Sequence, residues 1–172
     1  MTAVTTIAGG RGPYEQTHLV LGASASTGRS VTNTVSETAL ATIPIPAGMM
    51  GLNGIIRVWA YWANNNSGNS KTARVRFGAS GAGTSGSLFT AIVQSTNTNW
   101  KTHTQIANRN SASSQIGDTG NGAGGWSPAA VAWATSSITT TSACEVVLTG
   151  QLANTGDTLT LESYLVELIR TD

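Results

Sequence analysis

Residues 71–77 alternate strictly in character. Lys71, Ala73, Val75 and Phe77 fall in one phase, with Thr72, Arg74 and Arg76 in the other. Successive side chains of a strand point to opposite faces, so this period of two predicts a half-buried β-strand. A second run, residues 54–63, sets Ile56, Val58, Ala60 and Trp62 against Ile55, Arg57, Trp59 and Tyr61. Both of its faces are bulky, which predicts a central strand covered on both sides or a strand at a subunit contact. The intervening Asn64-Asn65-Asn66-Ser67-Gly68-Asn69-Ser70 is rich in residues that tolerate turns. The three pieces together predict an antiparallel hairpin with Val58, Val75 and Phe77 in the core. No stretch shows sustained apolar spacing at three and four residues, and Glu, Lys and Arg are too sparse to build exposed helical faces.

Further strands are expected at residues 17–21, 31–35, 38–45, 87–94, 102–108, 129–135, 143–149 and 158–169. Pro44 and Pro46 close the third of these, because proline cannot donate to a ladder. In the last, Leu159 and Leu161 occupy one phase and Val166 and Leu168 the other, which predicts a bulge or bend near Ser163. Residues 78–86 and 110–125 read as loops. This pattern fits an all-β chain folded as a two-sheet β-sandwich of the jelly-roll kind, with a closed barrel as the alternative. Residues 1–15 lack strand alternation and contain Gly9-Gly10-Arg11-Gly12-Pro13. They read as a flexible N-terminal arm, leaving residues 16–172 as the sandwich domain.

A chain of 172 residues buries roughly 70% of the surface it exposes when unfolded, so it needs no cross-link to fold. Its one cysteine excludes an intrachain disulfide. Cys144 alternates in phase with Val146 and Leu148, which predicts a small buried hydrophobe and not a reactive thiol. Nine basic residues against eight acidic ones leave a net charge of +1, which gives no electrostatic footprint for nucleic acid. Residues 1–12 lack the basic start and apolar run of a secretion leader. The longest mainly apolar stretch, residues 54–63, contains Arg57 and falls well short of a membrane-spanning helix. The expectation is synthesis in a host cytoplasm without membrane insertion.

The search for chemistry is mostly negative. Gly81-Ala82-Gly83-Thr84-Ser85-Gly86 matches the glycine pattern of dinucleotide-binding loops. That motif must open a helix, whereas residues 87–94 read as a strand, so a plain loop is expected. His18 and His103 have no carboxylate or second histidine at metal-ligand spacing. Glu145 is read as an outward strand residue. Asp118 precedes Thr119-Gly120-Asn121-Gly122 and lacks the closing acidic ligand of a calcium loop, so a turn is expected there. Asn65-Asn66-Ser67 is a glycosylation sequon without a secretion context. No catalytic, cofactor or metal residues are assigned, and the chain is expected to be a binding or structural protein, not an enzyme. Among the tryptophans, Trp62 and Trp133 sit in apolar strands and are expected to be buried. Trp59, with Tyr61, marks a candidate oligomer interface. Trp100 and Trp126 flank loops and are the candidate ligand contacts, with a glycan as the ligand such rings would stack on.

Several stretches resemble the virion accessory proteins of tailed bacteriophages. They are Val35-Ser36-Glu37-Thr38-Ala39-Leu40-Ala41-Thr42-Ile43-Pro44-Ile45-Pro46-Ala47-Gly48 with Gly51-Leu52-Asn53-Gly54, then Lys71-Thr72-Ala73-Arg74-Val75-Arg76-Phe77-Gly78. Ile106-Ala107-Asn108-Arg109-Asn110-Ser111 with Ser114-Gln115 completes the set. The resemblance covers roughly residues 31–110 and concerns a style of β-domain found in capsid decoration proteins, head fibres and tail-fibre tips. It implies no catalytic residues. It implies a capsid decoration protein located in the virion, typically a homotrimer where three capsid subunits meet, with the major capsid protein or another virion protein as partner. A receptor- or glycan-binding fibre tip is the alternative. On this reading Val4, Ile7, Arg11 and Tyr14 of the arm are the candidate capsid-attachment residues.

Overall fold

The computed structural model describes residues 16–24, 28–118 and 133–171. These residues form two antiparallel sheets packed face to face as a β-sandwich, and their one helical element is a 3-10 turn at Gly83–Ser85. In chain order the strands are β1 (Gln16–Ser24), β2 (Arg29–Thr32), β3 (Thr38–Ile45), β4 (Ile55–Asn64), β5 (Lys71–Ala79) and β6 (Ser87–Gln94). They continue as β7 (Asn99–Asn108), β8 (Gln115–Asp118), β9 (Trp133–Ser136), β10 (Cys144–Leu152) and β11 (Thr158–Thr171). The larger sheet runs β1-β11-β4-β7-β8-β9, with β2 also paired to β11; the smaller runs β3-β10-β5-β6.

The alternation of apolar side chains determines which face of each strand turns inward. Ile56, Val58, Ala60 and Trp62 of β4 meet Ala73, Val75 and Phe77 of β5, together with Val146 and Leu148 of β10 and Val166 and Leu168 of β11, in one core. Lys71 shares the inward phase of β5 and is fully buried. Its ammonium donates to Ser67 Oγ at 2.6 Å and lies 3.7 Å from Asp157 Oδ1. An ammonium away from water needs such partners to remain charged. Hydrogen bonds from Ser67 and Asn65 hold the Asp157 carboxyl below the usual carboxylate range.

Three expectations are corrected here. β4 and β5 do not pair as a hairpin: β4 lies between β11 and β7, and β5 between β10 and β6. Both inward faces remain as predicted, but the connecting segment carries the chain from one sheet to the other. It is fixed by Asn65, which donates to Asp157, and by Ser67, which accepts from Lys71. Within the expected loop 110–125, residues 115–118 form β8, so Asp118 ends a strand and its carboxylate accepts the Gln105 backbone N–H. β8 escapes an apolar-pattern reading because its buried positions are Gln115 and Gly117. A Cβ at Gly117 would stand 2.4 Å from the Gln105 carbonyl oxygen and 2.5 Å from the Phe89 ring, so only glycine fits. Trp133, expected in the core, is 67% exposed. Its strand lies at the sheet edge, and Ala134 takes the inward position.

Candidate functional site

The outer face of the larger sheet is the surface that packing leaves unexplained. Cross-strand pairing places Leu165 of β11, Trp59 of β4 and His103 of β7 in one row, and Ser163, Tyr61 and Lys101 in the next. On the other side lie Glu167, Arg57 and Gln105, and beyond them Ile169, Ile55 and Ala107. Partners across a ladder share a face, and the alternate residues of β4 fill the core, so these rows point outward. Tyr61 is 52% exposed, and Val20 on neighbouring β1 is 57% exposed. Asp118 and the exposed Trp133, paired across β8 and β9, extend the face.

His18 Nε2 lies 3.0 Å from Glu167 Oε1. The His103 ring stacks on Trp59 with centroids 3.9 Å apart. Burial depresses the His103 pKa, opposed by Asp118 and reinforced by Arg57. Arg57 Nε and His103 Nε2 are both sealed from solvent with no hydrogen-bond partner among the described residues.

Tyr61 stands as a ridge between two shallow, open grooves. The larger, about 530 Å³, is walled by Trp59, Tyr61, Tyr164 and Leu165 with Ser24 and Ser163. The smaller, about 330 Å³, lies among Tyr61, Asn99, Trp100, Lys101 and Glu162. The two candidate interface residues, Trp59 and Tyr61, therefore share one outward face. Trp100 is half-buried: its Nε1 donates to Asn64 Oδ1 at 2.7 Å and its ring stacks on Trp62, so only part of it borders the smaller groove. Trp126 and the arm residues Val4, Ile7, Arg11 and Tyr14 lie outside the described residues.

Two polar centres on the smaller sheet explain other motifs. The glycine-rich run is a loop as expected, and it cradles an anion supplied by the chain itself. Gly81 N–H donates to Glu145 Oε2 at 3.0 Å and Gly83 N–H to Oε1 at 2.8 Å. Gly81 and Gly83 have φ of 85° and 54°, a region that glycine enters readily. Glu145 faces outward as expected but is only 5% exposed, because this loop covers it. Nearby, Glu37 accepts from Arg76 Nε at 2.6 Å and Nη2 at 2.8 Å, and from the Thr149 hydroxyl. Burial alone would raise the Glu37 pKa, yet these hydrogen bonds and the charges of Arg74 and Arg76 hold it below the usual carboxylate range. Among the described residues no three of His, Cys, Asp and Glu converge as metal ligands would.

No family model matches the sequence, and no curated protein does. A structural similarity extends to a chain in the structure of infectious bursal disease virus Gx strain, at 10% identity and a TM-score of 0.29. It covers 92% of this chain and 41% of that one, so the chain spans less than half the length of that neighbour. A likeness this weak carries no argument about function.

Proposed function

We propose that this chain is a non-enzymatic virion structural protein: a capsid decoration protein that binds the assembled head lattice as a homotrimer. The observation that carries the reading is the outer face of the larger sheet. There Tyr61 and Val20 are exposed and Trp59 and Leu165 half-buried on one outward face. Contiguous exposed apolar surface marks an interaction site, and here it is where copies meet. The strand order supports the same reading. Taken without β1, β8 and β9, the sheets are β2-β11-β4-β7 and β3-β10-β5-β6, the interleaving of two nested Greek keys in a jelly roll, an architecture of viral capsid domains and of lectins. That is an analogy of fold. The arm residues Val4, Ile7, Arg11 and Tyr14 are assigned to attachment on the major capsid protein.

Sedimentation equilibrium tests the interface. The native chain is expected to sediment as a homotrimer or a multiple of one, and Tyr61→Lys as a smaller particle. A native monomer at every concentration, or an unchanged mass in the variant, would refute it. The second reading, a glycan-binding fibre tip, draws on Tyr61 as an aromatic ridge flanked by Asn99, Lys101, Glu162 and Ser163. It predicts saturable binding on a glycan array that Tyr61→Ala abolishes.

A further inference from the structure

The smaller sheet ends on one side at β6, which pairs with β5 and with no other strand among the described residues. The free N–H and C=O groups of an edge strand invite further pairing, and proteins blunt them with brevity, proline, charge or bulges. The other edges carry such devices. β2 and β9 are four residues each, β3 contains Pro44, and the register of β1 breaks between Val20 and Gly22. β6 reads Ser-Leu-Phe-Thr-Ala-Ile-Val-Gln, with no charge, proline or glycine. Its one such device is a bulge at Phe89, which has no opposite residue on β5. That bulge turns Phe89 into the core against Phe77. Beyond it residues 90–94 run in unbroken register with residues 71–75. Ala91 and Val93 face outward beside Arg74 and Thr72, and Val93 is 55% and Leu88 43% exposed.

We propose that this edge pairs, antiparallel, with the β6 of a second copy of the chain. Self-pairing centred on Ile92 runs residues 90–94 against their counterparts, sets Val93 beside Ala91 of the other copy and covers the exposed Val93 on both. A charged strand meeting its own copy would bring like charges together at a cost; β6 has none. The neighbouring guanidinium groups are already engaged, Arg74 by Gln151 and Arg76 by Glu37. The contact is isologous, so it closes on itself between two copies; a trimer carries three such edges, and two trimers joined through all three close as a hexamer. It is independent of the face around Trp59 and Tyr61.

Sedimentation velocity over a wide concentration range, with residue-resolved amide exchange, tests the pairing in the full chain. Val93→Lys adds the charge that natural edges use, at a position exposed enough to accept it; Ala91→Lys, at the position set opposite Val93, is the companion variant. The native particle mass is expected to double with rising concentration, with exchange slowing in step at those amides of residues 90–94 that point away from β5. Both lysine variants should lose the doubling. Tyr61→Lys should retain it, which separates this contact from the face contact. The proposal is overturned if the mass of both lysine variants responds to concentration as the native mass does. It is equally overturned if the β6 amides that point away from β5 are already slow in the dilute monomer, which would mean that the edge is occupied within the chain. Slowing seen only with capsids present would assign the edge to the lattice protein instead.

Discussion

The His103 ring lies over the Trp59 ring, 3.9 Å between centroids and 26° between planes, on the outer face of the larger sheet. Burial there disfavours the imidazolium, so the folded state resists protonation that the unfolded chain accepts. A depressed histidine pKa contributes stability that is full above the ordinary value of about 6.5 and is lost as pH falls towards the folded value. Urea titrations across pH should therefore show a first decline starting near neutrality. His103→Phe preserves a stack and removes the titration, so the decline should disappear. If it persists in that variant, the assignment is wrong.

A second decline is expected at lower pH. Glu37 and Asp157 both have depressed pKa values, so their contribution is complete above the ordinary carboxylate range and fades as pH falls through their folded values. Glu37→Gln keeps the shape and removes the charge that Arg74 and Arg76 face. Loss of charge-assisted hydrogen bonds of this kind costs about 2 kcal/mol. Denaturant unfolding at neutral pH should show that loss, together with a shallower acid limb. An unchanged midpoint would mean the cluster is solvated in solution.

Glu145 fills its own glycine cradle. Glu145→Ala leaves the N–H groups of Gly81 and Gly83 without an acceptor beneath the loop, at a cost of about 2 kcal/mol. Amide exchange at these two glycines should accelerate more than exchange in β5 or β10. Uniform acceleration across the sheet would point to general destabilisation instead.

Cys144 is 1% exposed, and burial, with Glu145 adding to it, pushes its thiol up to about 11. Thiol reagents should label it only as the protein unfolds, at the unfolding rate. Rapid labelling of the native protein would contradict the packing of β10.

What the sequence made legible follows from what alternation encodes. The period of two in β4 and β5 placed Val58, Val75 and Phe77 in the core. The phase change in β11 appears as a register break between Leu161 and Ser163. Alternation fixes which face is buried but not which strand lies alongside, so it pairs β4 with β5 although the segment between them crosses to the other sheet. β8 was missed because glutamine and glycine fill its inward positions. The outer face was legible in part: Trp59 and Tyr61 stood out as a second bulky face, whereas His103 joined them only through the β4–β7 register. Trp133 was misplaced because its run is apolar in both phases.

Co-sedimentation with assembled tailed-phage capsids tests the proposed decoration role most directly. The account predicts that the native chain pellets with them, saturating at a fixed ratio to the capsid subunit, and that a chain lacking residues 1–12 stays in solution as the same oligomer. A native chain that remains in the supernatant at every concentration, while the capsids pellet, would contradict it.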